Sequence, residues 1–345
     1  MFRNRTIQSN SSLLEALKKM DLLDKKLLIV VDAEKYAGLL SSGDIQRAII
    51  QNKPLKTLVK EVLRENLRIA RPEDSFESIG KMMFEFRMEL CPVVNEKNEI
   101  YHVYFWEDLF QKGKLQPAKN FNLPIVIMAG GLGTRLKPLT SVLPKPLVPF
   151  GDKTMLEQIF DRFAMYGCNN FFLSLNYKAD LIEYYIENQH LQYNISYLRE
   201  SEPLGTAGSL NLMKDKVDGT FFVSNCDILI EQDYSEILDY HTENKNEITI
   251  VAALKHYPIP YGVLETAENG LLISLQEKPE LTFKINSGMY ILESSILDDI
   301  PSGIFFHITQ LIEKIRLKGG KVGVFPVSEK SWKDIGDWFN YIEKA

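Results

Sequence analysis

Between Met128 and Gly151 the sequence reads MAGGLGTRLKPLTSVLPKPLVPFG. Gly130, Gly131 and Gly133 directly follow the short apolar run LPIVIMAG, so a tight loop leaves the end of a strand here. Glycines in such a loop let backbone N–H groups come close to an anion, and phosphate is the anion that several N–H groups hold best. Arg135 stands just beyond the glycines, and Lys145 follows, fixed between Pro144 and Pro146. A planar guanidinium fork and an ammonium point charge beside a glycine loop suit a triphosphate. The spacing excludes two commoner loops. A dinucleotide fingerprint needs a third glycine where Leu136 stands, and a Walker loop needs a closing Gly-Lys-Ser/Thr. The plainer alternative is a glycine turn with surface basic residues. The apolar residues running through the stretch argue against it.

The elements that must position this loop alternate in type. LPIVIMAG, NFFLSLNY, NISYLRE, TFFVSNCDILI, EITIVAAL and KINSGMYIL read as strands. TMLEQIFDRFAMYG (Thr154–Gly167) and KADLIEYYIENQH read as amphipathic helices. This alternation predicts an α/β fold, a Rossmann-like mixed sheet with helices on both faces. Ligands in such sheets sit beyond the carboxyl ends of the strands, which is where the glycine loop falls.

The glycine loop begins unusually far along the chain, and a weak internal repeat precedes it. SSLLEALKKMDLLDKKLLIVVD (Ser11–Asp32) resembles DSFESIGKMMFEFRMELCPVVN (Asp74–Asn95) at an offset of 63 residues. Each copy predicts a capped amphipathic helix, a strand, a turn, a second strand and a helix opened by Asp44 or Asp108. One copy is too small to bury its own face, whereas two packed together make a small α+β domain. The polar segment QKGKLQPAKNFNLP (Gln111–Pro124) separates this part from the rest. The expected division is residues 1–118, a linker at 119–122, and residues 123–345.

The composition is that of a soluble globular protein: 45% hydrophobic, 25% charged, net charge −6. That charge gives no general attraction to nucleic acid or anionic membrane, so neither is expected as a partner. No apolar run approaches the ~18–20 residues that span a bilayer, and the N-terminus lacks the apolar core of a signal peptide. Cys91, Cys168 and Cys226 are odd in number and lack metal spacing, which points to a reduced, cytoplasmic compartment. The five histidines (His102, His190, His241, His256, His307) show no metal spacing either, and Phe221 and Phe222 read as core.

At GGLGTRLKPLTSVLPKPLVPFG the sequence resembles the sugar-1-phosphate nucleotidylyltransferases, and further motifs follow in that family's order. ESEPLGTAGSL (Glu200–Leu210) resembles the base-recognition loop, and FVSNCDILI the strand ending in a metal-binding aspartate. YGVLE and LQEKP resemble the sugar-phosphate pocket, INSGMYIL a strand facing the sugar, and WKDIG the second metal-binding segment. The resemblance implies that Asp227 and Asp334 bind Mg²⁺, that Arg135 holds the triphosphate, and that Lys145 neutralises the α-phosphate. It places Ala129, Gly130, Gly131, Gly133, Thr134, Glu200, Gly205 and Thr206 around the nucleotide. Gly262, Glu277, Lys278 and Asn286 would meet the sugar phosphate. Without its motif, Asp227 would read as a turn or cap residue; Asp337 reads as the N-cap of a last helix.

One departure stands out. Cys226 occupies the position before the metal aspartate where the family usually has glycine. A side chain there is expected to narrow the approach to metal or ribose and to make activity sensitive to thiol reagents. Glu200 tilts the nucleotide toward GTP, because a carboxylate accepts both N1–H and the 2-amino group of guanine. The alternative is that Glu202 or backbone groups read the base. The pattern is most similar to mannose-1-phosphate guanylyltransferase-like members.

LLIVVDAEKYAGLLSSGDIQRAI (Leu27–Ile49) resembles a cystathionine-beta-synthase-type (CBS) domain, and the repeat makes a tandem pair. That family often binds adenine nucleotides and often dimerises, so self-association as a homodimer or larger is expected. Ser41 and Asp44 match its ribose-contacting pattern, while Phe105 breaks it ahead of Asp108. The alternative is that Ser41 and Asp44 only cap a helix. The combination resembles the glucosamine-1-phosphate guanylyltransferases of bacterial legionaminic acid synthesis. Mannose or heptose 1-phosphate, UTP or dTTP as donor, and a nucleotide sensor without turnover remain as alternatives. The chain ends soon after DIGDWFNYIEKA, which leaves no expectation of a C-terminal β-helix.

Overall fold

A computed structural model describes residues 2–64, 68–110, 119–189, 191–336 and 341–342. The expected roles of His190 and Asp337, and most of the Gln111–Pro124 linker, lie outside those residues. The chain divides into two compact units, Met1–Gln116 and Pro117–Ala345.

In the first unit the 63-residue repeat is visible in the backbone. Helices Leu13–Leu23 and Phe76–Glu85 open on Ser12 and Ser75, whose hydroxyls each accept from an N–H of the first turn. Strands Leu27–Asp32 and Leu90–Val94 follow, and each pairs antiparallel with the next, Lys35–Ser41 and Ile100–Phe105. Even the entry is repeated: Ile7 pairs parallel with Val30, and Ala70 with Val93. The copies share a core, in which Ile29, Val31 and Tyr36 of the first pack with Leu90, Val94 and Val103 of the second. That sharing is why neither half needs a full core of its own.

The second unit is built on a seven-stranded sheet. Its strands in chain order are β1 (Ile125–Met128), β2 (Asn170–Leu175), β3 (Asn194–Arg199), β4 (Thr220–Asn225), β5 (Ile248–Pro258), β6 (Glu280–Glu293) and β7 (Val322–Ser328). They lie in the order β3-β2-β1-β4-β6-β5-β7, and β6 alone runs against the others. The mixed α/β sheet read from the sequence is present. The central strands are apolar on both faces; Ile125, Val126, Ile127, Phe221 and Phe222 are fully buried or nearly so. Helix α1 (Met155–Ala164) opens on a Thr154–Glu157 capping box. It buries Leu156, Ile159, Phe160 and Phe163. Helices α2 (Ala179–Asn188), α3 (Tyr234–Asn244) and α4 (Ile308–Leu317) bury narrower faces: Ile182 and Ile186 on α2, Tyr234 and Ile237 with Ser235 and His241 on α3, and Ile308, Leu311 and Ile315 on α4.

Residues 119–122, expected as linker, are part of this unit. Phe121 stacks on Tyr166 at 5.2 Å and on Phe222 at 5.5 Å. Its N–H donates to the Tyr166 carbonyl at 3.0 Å. Among the described residues no helix is long and apolar enough to cross a membrane.

Candidate active site

The glycine loop leaves β1 where the parallel strands end. Ala129 N–H still pairs with the Ser174 carbonyl of β2 at 2.9 Å. From Gly130 to Thr134 the backbone N–H groups find no protein acceptor among the described residues. They are a run of open donors at a strand end, as an anion cradle requires. Gly131 has open space where a side chain would stand. Gly133 has φ +63°, and a methyl group there would lie 2.8 Å from Thr140 Cγ2. The loop doubles back at this point: Thr140 Oγ1 donates to the Gly133 carbonyl at 2.8 Å. Tyr177 and Lys178 tie the return to the end of β2 by donating to the carbonyls of Thr140, Ser141 and Val142.

That return brings the buried Lys145 against Asp227, and the two form an ion pair with both side chains nearly out of solvent. Asp227 directly follows Cys226 after β4. A short strand, Ile228–Ile230, pairs antiparallel with Trp332–Asp334, with Ile228 opposite Asp334. Ile335 N–H donates to the Asp227 carbonyl at 3.0 Å, which locks the two aspartate segments together. At Gly336 the convergence can be measured. A methyl group there would lie 2.7 Å from Asp334 Oδ1, 2.9 Å from an Arg135 nitrogen and 2.9 Å from Asp227 Oδ2. Burial raises the Asp334 carboxyl above its usual range, and the Asp227 charge adds to it. The Gly336 N–H, Lys145 and Arg135 pull it the other way.

Arg135, Asp227 and Asp334 line a cleft of about 260 Å³ together with Asn225, Ile228, Asn286, Ser287, Gly288, Tyr290 and Trp332. Among the described residues, no three His, Cys, Asp or Glu converge as a metal cage. The donor set fits a hard cation held by two carboxylates, with its other positions left to phosphate oxygens and water.

Gly336, Asn225 and Gly288 were not singled out in the sequence. Gly288 has φ +86°, and a methyl group there would lie 2.5 Å from the Asn225 amide nitrogen. Gly336 closes the WKDIG motif, and that glycine after a carboxylate segment was the available signal.

Cys226 does not line the cleft. It is 5% exposed, and burial pushes its thiol up to about 12. The expected narrowing of the site and sensitivity to thiol reagents are therefore corrected. The side chain lies in the interior, and the thiol stays protonated and shielded.

The remaining residues named from the sequence divide into groups. Glu200 reaches the glycine loop: its Oε1 lies 3.0 Å from the position of a methyl group on Gly130. Its oxygens accept from the Ser174 hydroxyl and from Leu204 N–H at 2.9 Å. Gly205 and Thr206 face the chain before α4. A methyl group on Gly205 would lie 2.8 Å from the Phe306 carbonyl, and Thr206 Oγ1 accepts from Ile308 N–H at 3.0 Å. Asn286 lines the cleft, its amide donating to the Tyr290 hydroxyl at 2.9 Å. Gly262, Glu277 and Lys278 stand on an exposed hairpin and do not line that cleft. Glu277 Oε2 lies 3.2 Å from a methyl position on Gly262.

In the first unit, Ser41 and Asp44 form a capping box, and the buried Asp44 carboxylate also pairs with Arg47 and Arg64. At the repeat-related position Asp108 accepts from Phe105 N–H at 2.8 Å, as Asp44 does from Ser41 N–H at 2.8 Å. The hydroxyl is lost, and Asp108 is exposed where Asp44 is buried.

Residues 125–345 match the family model described as nucleotidyl transferase. The chain is 40% identical over 182 residues to a mannose-1-phosphate guanylyltransferase catalytic subunit beta of Dictyostelium discoideum, covering 51% of each chain. It is 35% identical over 226 residues to mannose-1-phosphate guanylyltransferase 1 of Arabidopsis thaliana, covering 63% of this chain and 62% of that protein. It thus spans only about half to three fifths of the length of these relatives. Among solved structures it is similar to HddC from Yersinia pseudotuberculosis complexed with GMP-PN, at 28% identity and a TM-score of 0.51. That match covers 64% of this chain and 97% of the other.

Proposed function

The chain belongs to the nucleotidyl transferase family, and from that premise we propose that it transfers GMP from GTP to a sugar 1-phosphate, releasing pyrophosphate. The observation that carries this is the convergence of Arg135, Asp227 and Asp334 around Gly336, with Lys145 paired to Asp227, beside a loop of open N–H donors. A phosphate oxygen of the sugar forms a bond to the α-phosphorus, and the bond to the β-phosphate oxygen breaks. Two anions must meet, so the protein's task is neutralisation and alignment.

The N–H groups from Gly130 to Thr134 hold triphosphate oxygens, and Arg135 stabilises the departing pyrophosphate. Lys145 neutralises the α-phosphate, and Asp227 keeps its ammonium in place until then. Asp227 and Asp334 would hold Mg²⁺, which supplies positive charge to the phosphate oxygens when bound. No protein base is needed, since the attacking phosphate is already ionised. Asn286 and Glu277 meet the sugar hydroxyls, and Lys278 meets the sugar phosphate from its hairpin. Gly205 and Thr206 act on the nucleotide through the loop they anchor.

GTP is favoured by Glu200, which lies against Gly130 and whose carboxylate keeps acceptor capacity beyond its two bonds. The guanylyltransferase relatives and the neighbour bound to GMP-PN agree with that choice. The relatives also make mannose 1-phosphate the first acceptor to test. A second reading, glucosamine 1-phosphate, is favoured by the repeated N-terminal unit. We read that unit as a tandem CBS pair with a regulatory or dimerising role. An adenine nucleotide there would have to share Asp44 with Arg47 and Arg64. The three free cysteines, all buried, fit a reducing, cytoplasmic setting.

The test is pyrophosphate release with each nucleoside triphosphate against mannose, glucosamine, N-acetylglucosamine, glucose and heptose 1-phosphates. GTP with one hexose phosphate is expected. A preference for UTP or dTTP would remove the guanine reading. Asp227→Asn and Asp334→Asn are each expected to lower turnover by at least about a hundredfold, and unchanged turnover would overturn the site.

A further inference from the structure

Among the buried residues of β2, one is polar. Phe171, Leu173 and Leu175 are fully buried, and Ser174, between the two leucines, is fully buried as well. A hydroxyl in such a strand costs free energy unless it is hydrogen-bonded, and alanine would fill the place without that cost. Among the described residues the Ser174 hydroxyl has one hydrogen-bond partner, Glu200 Oε1.

Glu200 is held through every group that can hydrogen-bond. Its N–H donates to the Leu175 carbonyl at 2.9 Å, and its carbonyl accepts from the Asn176 amide at 3.0 Å. In the side chain, Oε1 accepts from Ser174 and Oε2 from Leu204 N–H at 2.9 Å. One donor sits on each oxygen, so the carboxylate plane cannot turn without breaking a bond. The glycine loop closes the space beside it. The place of a methyl group on Gly130 lies 3.0 Å from Glu200 Oε1 and 3.1 Å from the Asn176 backbone nitrogen. Glu202, two residues on, is exposed.

A carboxylate has about four acceptor directions. The two donors leave one on each oxygen, in a plane the protein has fixed. That pair complements two parallel N–H donors, which guanine presents as N1–H and its 2-amino group. Hypoxanthine presents N1–H alone.

We propose that Ser174 is the positioning residue for base selection: by fixing the Glu200 carboxylate it makes the site demand both donors of a 2-amino-6-oxopurine. The proposal rests on the reading of Glu200 as the residue that meets the base. A single hydrogen bond can follow a carboxylate as it turns, whereas two parallel ones cannot. Removing the hydroxyl releases Oε1, and the bond then lost is the second one. Asn176 supports the same orientation through the main chain.

The test compares GTP with inosine triphosphate, which lacks the 2-amino group, in wild type and Ser174→Ala. Turnover gives kcat and KM, and calorimetry without the sugar phosphate gives Kd. Wild type is expected to favour GTP by about tenfold or more. In Ser174→Ala that preference should fall by about fivefold or more, through weaker binding of GTP with little change for inosine triphosphate. The loss should appear in KM for GTP rather than in kcat. A serine that only completed the strand would move both nucleotides alike. Asn176→Ala, at a half-buried position, should shift the preference in the same direction, and thermal unfolding checks that both variants fold. A GTP preference unchanged in Ser174→Ala, or in Asn176→Ala should the first variant not fold, would overturn the proposal and leave the guanine reading standing. A wild type that binds the two nucleotides equally would remove the guanine reading itself, and the proposal with it.

Discussion

Gly336 sets how closely the charges of the cleft approach one another. Asp334, Arg135 and Asp227 each have an atom within 2.9 Å of the place its side chain would begin. Its φ is not in the left-handed region, so the backbone would accept alanine, and the nearest conflicts are with these three groups. Gly336→Ala is therefore expected to cut turnover at least about tenfold, since one angstrom of misplacement at a reacting centre is costly. Its melting temperature should move little. A variant with wild-type turnover would mean that the three groups need not be this close. Arg135 and Lys145 could be picked out in the sequence from the glycines and prolines around them, whereas Asp227 and Asp334 were legible only through the family motifs they stand in. Cys226 was misjudged. Asn225 and Asp227 line the cleft, while Cys226, in the turn between them, is buried.

One scale up, short elements hold the site by packing backbone on backbone. The helical turn Gly205–Gly208 lies so close to the segment before α4 that a methyl group on Gly208 would be 2.6 Å from the Ile304 carbonyl. Ala207 and Gly208 N–H groups both donate to the Phe306 carbonyl, at 2.9 and 3.0 Å. A carbonyl cannot move aside as a side chain can. Gly208→Ala is therefore expected to destabilise the protein by about 1–3 kcal/mol, read as a lower urea midpoint with an unchanged slope. No loss of stability would show that the two segments separate freely. The GTAG run was legible as a motif, but its packing duty was not, because the partner segment lies about a hundred residues away. The alternation of strands and helices was readable from periodicity. The exposed hairpin was not, although Asn269-Gly270 is a hairpin signal, because YGVLE and LQEKP were taken only as the sugar-phosphate motifs they resemble.

For the molecule as a whole, the question is where the second unit begins. The sequence placed a linker at 119–122 because those residues are polar and lack periodicity. The repeat before them was legible through its 63-residue offset, down to the paired caps at Ser12 and Ser75. A lone aromatic gives no periodic signal, so Phe121 could not be assigned to a core in advance. In the structure it completes a stack with Tyr166 and Phe222, and Tyr166 continues that stack onto Tyr234 at 5.3 Å. The nearby Lys119–Asp239 ion pair is exposed and contributes little. A chain starting at Lys119 should therefore fold alone and keep its turnover, since the four charged groups of the cleft all belong to the second unit. A chain starting at Leu123 should lose the aromatic layer, about 1.5–3 kcal/mol. For a unit of this size that lowers the melting temperature by roughly 3–12 °C. Phe121→Ala in the full chain should reproduce most of that loss. Equal melting temperatures for the two truncations would mean that the stack is dispensable and that the boundary lies where the sequence had placed it.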